Sequence, residues 1–209
     1  MSVNQIQLKK IEKELQKYND KKLLIVTKNQ PQEIILELIN MGYKKFGENK
    51  VQEAVKKFQD IENPNIEVHL IGPLQTNKAK IALKFFHSIQ TIDRAKLVHE
   101  ILKYNKEGFV KTKSFFLQVN IGKESQKSGI HPDELIDLYR LCYENDLKID
   151  GLMCIPPASH EPDFFFKQMN EFRNSLDPSM KLSMGMSNDY QKALIYNSDI
   201  VRIGSLIFN

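Results

Sequence analysis

One unit recurs along this chain: a short apolar run, a polar or glycine-containing turn, then an amphipathic stretch of helical period. Repetition of that unit restricts the fold to parallel strands joined by crossover helices, since parallel neighbours cannot be linked by a tight hairpin. The first of these runs, Leu23-Leu24-Ile25-Val26, is wholly apolar with no polar alternation. Such runs are expected of strands covered on both faces. Strands are predicted near 23–27, 44–46, 67–71, 88–92, 114–121, 149–154, 181–184 and 200–203. Helices are predicted near 32–41, 49–62, 76–86, 94–105, 132–145, 163–176 and 188–196. An opening helix precedes them, with Ile6, Leu8, Ile11, Leu15 and Tyr18 at helical spacing. Eight strands alternating with helices predict an α/β fold, a single (β/α)8 TIM barrel with an extra N-terminal helix that covers the seam between strands eight and one. Without one of the strands, a doubly wound open sheet is the alternative.

The 209 residues suit one domain over 1–209, since domains run roughly 100–200 residues. Charged residues at 27% and hydrophobic ones at 41% are those of a globular chain. The net charge of +4 is spread over scattered pairs such as Lys21-Lys22, Lys44-Lys45 and Lys56-Lys57, with no basic tract, so no nucleic-acid partner is expected. Cys142 and Cys154 stand apart from each other and from metal-ligand spacing, which predicts neither a disulfide nor a zinc site and suits a reducing cytoplasm. The N-terminus has a helix pattern rather than the apolar run of a signal peptide, and no segment approaches the ~18 apolar residues of a membrane span.

Barrels place their sites where the strands end, so those positions carry the functional reading. Lys28 directly follows the most apolar strand, where desolvation would free its amine to attack an aldehyde; the alternative is a solvated turn lysine. Gly204-Ser205 follows the last strand, where backbone N–H groups often bind phosphate, and Ser183 or Ser187 would add hydroxyls. Ser187-Asn188 alternatively caps the next helix. Arg202 ends an apolar strand, so it either closes a buried salt bridge or meets a ligand. No GxGxxG, P-loop, GxSxG or HExxH motif is present. The five histidines are dispersed, and no metal site is predicted; His69, inside the third strand, reads as a core histidine. Phe164-Phe165-Phe166 reads as a helix start packed on the barrel.

Read together, these strand ends resemble the pyridoxal phosphate homeostasis protein family, relatives of the barrel domain of alanine racemase. The resemblance is carried, in order, by Ile25-Val26-Thr27-Lys28, Phe46 to Glu53, His69 to Lys78, Gln118-Val119-Asn120, Lys127-Ser128-Gly129, Gly151 to Pro157, Leu182 to Ser187 and Val201 to Ser205. It implies that Lys28 holds pyridoxal 5'-phosphate (PLP) as a Schiff base, that Arg202 approaches the pyridine nitrogen, that Ser183, Gly204 and Ser205 hold the phosphate, and that Asn49 lies beside the ring. Ser187 joins the cofactor-binding set, and Lys127 is either a second contact or an exposed loop lysine. Pro73 stands where the family usually has His, and Ser205 where Thr is common. The family's usual basic tail is absent.

An arginine at the pyridine nitrogen keeps it unprotonated and weakens the cofactor as an electron sink. Alanine racemases also use a second β domain and a tyrosine from a dimer interface, and no such second domain is expected in 209 residues. The resemblance therefore implies a monomeric, cytoplasmic carrier without catalytic residues, passing PLP to PLP-dependent apoenzymes. A PLP-dependent amino-acid racemase is the alternative, and a barrel for another phosphorylated metabolite, with Lys28 a simple charge, is the third.

Overall fold

The computed structural model describes residues 2–108 and 110–208. In chain order the elements are α1 (Gln5–Leu15), β1 (Lys22–Val26), α2 (Gln32–Asn40), β2 (Lys45–Glu48), α3 (Val51–Phe58), β3 (Glu67–Leu70), α4 (Ala79–Phe85), β4 (Ser88–Ile92), α5 (Ala95–Lys106), β5 (Ser114–Val119), α6 (Leu135–Glu144), β6 (Gly151–Cys154), α7 (Asp163–Leu176), β7 (Lys181–Ser183), α8 (Tyr190–Ile195) and β8 (Ile200–Ile203). All strand pairs are parallel, and β8 returns to β1 with Leu24 opposite Arg202, so the sheet closes into a barrel. The open-sheet alternative is thereby excluded.

The period of two within each strand sorts the side chains into two sets. Ile25, Phe46, Val68, Ile89, Leu117, Leu152 and Val201 pack outward in the main core with the buried faces of the helices. Leu24, Phe116, Met153 and Ile200 form a separate cluster inside the barrel, against which Ile71 and Ile155 pack. In β1 both sets are apolar, so Leu23 to Val26 reads as an unbroken apolar run. Each side chain so buried contributes roughly 1.5–3 kcal/mol. Among the polar residues sharing the inner face are Arg202, in register with Leu24, and Ser183, in register with Met153 and Ile200.

The N-terminal helix covers the predicted seam. Val3 bridges Phe208, Asn4 N–H donates to Ile207 O, and Leu8, Ile11 and Leu15 are buried. Ile6 is exposed and Tyr18 lies beyond the helix, so the apolar stripe is narrower than its spacing suggested. Of the three phenylalanines at the start of α7, Phe166 is fully buried and Phe164 is exposed. Among the described residues no helix is long and apolar enough to cross a membrane.

Three boundaries differ from the sequence reading in ways that shape the site. β2 continues through Gly47 and Glu48, which read as a turn, because the Glu48 carboxylate is buried against Thr27 and Lys57. α3 begins at Val51, which leaves Asn49 outside the helix. β5 stops at Val119 because Asn120 folds the chain back, its Nδ2 donating to Glu124 O while its Oδ1 accepts from Glu124 N–H.

Candidate functional site

A cleft of about 790 Å³ opens at the C-terminal ends of the strands. Val26, Ile71, Ile155 and Met186 give it an apolar wall; Lys28, Asn49, Lys127, Ser187, Arg202, Gly204 and Ser205 supply its polar groups. A second cleft of about 740 Å³, lined by Tyr139, Tyr143, Asp150 and Lys181 among others, lies by the N-terminal ends of β6 and β7 and contains none of the predicted site residues.

Lys28 sits two residues past β1 in a turn closed by Gln30 N–H donating to Thr27 O, with Asn29 at φ 61°. Its side chain is exposed and makes no hydrogen bond or ion pair with another described residue. The desolvation expected from its position is therefore not supplied by the protein: the apolar run ends at Val26, and Lys28 stands on the rim. Three residues that the sequence reading gave no role hold this turn from behind. Lys57 Nζ donates to Thr27 O (2.9 Å) and to Glu48 Oε1 (3.0 Å), and pairs with Glu53 Oε1 at 2.8 Å. Glu53 Oε1 also accepts from Asn29 N–H at 3.0 Å. The sequence signal was the spacing of Glu53 and Lys57 by four on one helix. Burial pushes the Glu48 carboxyl above its ordinary value, against the pull of Thr27 and Lys57.

Asn49 is half-buried at the end of β2, and its Oδ1 is buried without a hydrogen-bond partner. A Cβ on Gly72 would lie 2.2 Å from Asn49 O and 2.7 Å from its Cα, so glycine is what lets the loop after β3 pass under this residue. Gly72→Ala must push the two loops apart; we expect a loss of roughly 1–3 kcal/mol. Thermal melts should show it as a fall of about 2–4 °C per kcal/mol, and an unchanged melting temperature would mean the loops yield freely.

Arg202 is almost fully buried and has no carboxylate partner among the described residues, so of the two readings of this residue the buried salt bridge is excluded. Its Nη1 donates to Ser183 O (2.6 Å) and Ser183 Oγ (3.0 Å), and its Nη2 to Cys154 O (2.7 Å). Burial pulls its pKa down from the ordinary value, yet a guanidinium stays charged in proteins. A fixed positive charge thus lines the cleft.

Ser187 Oγ accepts from Gly204 N–H at 3.4 Å, which joins the loops after β7 and β8. The cap of α8 is Asp189, so Ser187-Asn188 is not a helix cap. The N–H groups of Ser187, Asn188, Ser205 and Leu206 make no hydrogen bond to another described residue. Ser183 departs from its predicted role. Its hydroxyl is fully buried in the lumen and donates to Gln90 Oε1 at 2.6 Å, because β7 places it on the inner face beside Met153, below the phosphate-loop candidates. Lys127 lines the cleft but is tied to Glu124 (2.5 Å) and to Pro156 O (3.0 Å). Among the described residues no cluster of His, Cys, Asp and Glu is arranged to hold a metal ion.

Fold and site together define a class, the (β/α)8 barrel with a small-molecule cleft at the C-terminal ends of its strands. Residues 5–209 match the family described as alanine racemase, N-terminal domain. The pyridoxal phosphate homeostasis protein of Aquifex aeolicus is 37% identical over 199 residues, 91% of this chain and 87% of that protein. PipY of Synechococcus elongatus, 30% identical and matched over 98% of this chain and 99% of its own, superposes with a TM-score of 0.89 without PLP. With PLP bound, the same protein superposes at 0.84. Alanine racemase from Acinetobacter baumannii, at 16% identity and a TM-score of 0.77 over 97% of this chain and 60% of its own, shares the fold. The chain belongs to the alanine racemase N-terminal domain family and, within it, to the pyridoxal phosphate homeostasis proteins.

Proposed function

We propose that this protein binds PLP as a Schiff base on Lys28 and keeps it available for PLP-dependent apoenzymes, without turnover of its own. The observation that carries the reading is the meeting in one cleft of an unpaired lysine amine, a buried arginine without a carboxylate, and unbonded backbone N–H groups. The residues fit the cofactor: the orphaned Oδ1 of Asn49 needs a donor or an ordered water, and the free N–H groups of the 187–188 and 205–206 loops suit a phosphate. Lys28, Asn49, Ser187, Arg202, Gly204 and Ser205 would hold it; Ser183 acts one step back, through Arg202. When bound, PLP supplies an aldehyde carbon for the lysine and an electron-withdrawing ring, and Arg202 in place of a carboxylate restrains that withdrawal.

Turnover is disfavoured because, apart from Lys28, the acids and bases that line the cleft among the described residues are engaged with protein partners. No tyrosine lines the cleft; Asp189 is held by Met186 N–H, and Lys192 by Glu161 and Asp163. One observation favours the racemase reading: His160 lines the same cleft, bonded to Ser159 and edge-on to Phe165. Solvent-deuterium exchange at the α-carbon of amino acids, faster than with free PLP and lost in Lys28→Ala, would support it. We read the protein further as a cytoplasmic monomer, in keeping with its two free, buried cysteines. Borohydride reduction of the PLP-loaded protein followed by peptide mass analysis tests the central assignment. The cofactor should be fixed on the peptide carrying Lys28; its recovery elsewhere, or not at all, would refute the Schiff base.

A further inference from the structure

The buried charge of Arg202 lacks a carboxylate in contact, yet a hydrogen-bonded path leads from it to one. Arg202 Nη1 donates to Ser183 Oγ at 3.0 Å. Ser183 Oγ lies 2.6 Å from Gln90 Oε1, Gln90 Nε2 lies 3.0 Å from His69 Nδ1, and His69 Nε2 lies 3.4 Å from Glu67 Oε2. Ser183, Gln90, His69 and Arg202 are all buried, whereas the Glu67 side chain is 44% exposed at the start of β3, where it also pairs with Lys45. The path therefore runs through the barrel from the floor of the cleft to the opposite face.

Its direction follows from chemistry alone. A guanidinium only donates, so Ser183 must accept from it and give its single proton to Gln90 Oε1. The other end of that amide is then a donor, and His69 Nδ1 must accept from it. The remaining imidazole proton sits on Nε2, facing the Glu67 carboxylate. Every link donates the same way, from the cation toward the anion, so the dipoles add along the path. Reversing any one link sets two donors or two acceptors face to face. Burial lowers the His69 pKa from its ordinary value, against the pull of Glu67, which is the direction the path requires.

We propose that Gln90 and His69 are positioning residues for Arg202, orienting its guanidinium at the cleft by a one-way hydrogen-bond chain anchored on Glu67 at the other end of the barrel. What this does to the cofactor rests on the reading above, in which Arg202 faces the PLP ring; the chain itself does not. Gln90, fully buried in β4 between Ile89 and Thr91, has both ends of its amide engaged, with His69 and with Ser183. A histidine in β3 that serves only packing would not need a fixed tautomer.

Two measurements on the full chain keep the two ideas apart. Nitrogen-15 NMR of the cofactor-free protein should find His69 neutral with its proton on Nε2, and the Arg202 Nη protons slow to exchange. Gln90→Leu should release those Arg202 protons to faster exchange. With PLP, Gln90→Leu should move the bound absorbance band and weaken binding by up to roughly tenfold, the scale of one neutral hydrogen bond, while borohydride still fixes the cofactor on Lys28. Glu67→Gln, a half-exposed change at the far face, should shift the same band and decides the matter if Gln90→Leu does not fold. A His69 proton on Nδ1, or a band and an Arg202 exchange rate unmoved in both variants, overturns the chain. Failure of borohydride trapping in the unaltered protein would overturn the PLP reading and leave the NMR test of the chain standing.

Discussion

Lys28→Ala should leave the fold intact and abolish the violet absorbance of the bound cofactor. Lys28 is exposed and makes no contact with another described residue through a hydrogen bond or ion pair, so its removal should cost no more than about 0.5 kcal/mol in the cofactor-free protein. The effect lies in the linkage between binding and stability. A ligand at a hundred times its Kd raises stability by about 2.7 kcal/mol, which for a chain of this size is a rise in melting temperature of about 5–10 °C. The unaltered protein should show that rise with PLP, and Lys28→Ala should lose most of it at the same concentration. A residual rise with inorganic phosphate is expected, since Arg202 and the loop N–H groups remain. Lys28→Arg separates a covalent role from a charge: it keeps the cation and cannot form the C=N bond. If PLP stabilises Lys28→Arg as much as the unaltered protein, the lysine is only a charge, and the reading as a barrel for some other phosphorylated metabolite gains.

The barrel was legible because one unit, a short mostly apolar run followed by an amphipathic helix, recurs along the chain, most clearly from Leu23 to Val26. What the sequence concealed is compensation over distance. Gly47 and Glu48 read as a turn because a carboxylate is costly inside a strand, yet Lys57, on the next helix, makes Glu48 tolerable there. The two readings of Arg202 could not be told apart locally, because its acceptors are Cys154 O and the two oxygens of Ser183, residues of other strands. Ser183 was drawn toward the phosphate by the resemblance; barrel register turns it inward, where it supports Arg202. Gln90 carried a readable signal, a polar side chain in a wholly buried strand, and its partner on β7 appears only on closure of the barrel.

Lys57→Met should be the most destabilising single change near the site, by about 3–5 kcal/mol at neutral pH, because it strands a buried carboxylate. Glu48 is fully buried, accepts at Oε1 from Thr27 Oγ1 (2.8 Å) and Lys57, and has no partner at Oε2. Burial already raises its pKa in the folded state, and removing Lys57 raises it further. For a carboxyl raised above its unfolded value, the contribution to stability is fully present below that ordinary value, here 4.5, and is lost as pH rises through the folded pKa. The deficit of the variant should therefore be smaller near pH 5 than near pH 8. The difference between variant and unaltered protein is the quantity to follow in urea melts, since other groups pull the opposite way. Glu67, held down to about 2 chiefly by its bond from His69, and His87, pushed down to about 4 by burial, both lose stabilising effect as pH falls. A deficit equal at both pH values would mean that Glu48 is not its source. Lys57→Met combined with Glu48→Leu should recover much of the loss, because an apolar pair of similar volume replaces the stranded charge. It should not restore the Lys28 turn, whose Thr27 O and Glu53 anchors still lack the Lys57 ammonium. PLP affinity in that double variant should stay below that of the unaltered protein even where its stability matches, which separates what the Glu48–Lys57 pair does for the fold from what it does for the lysine.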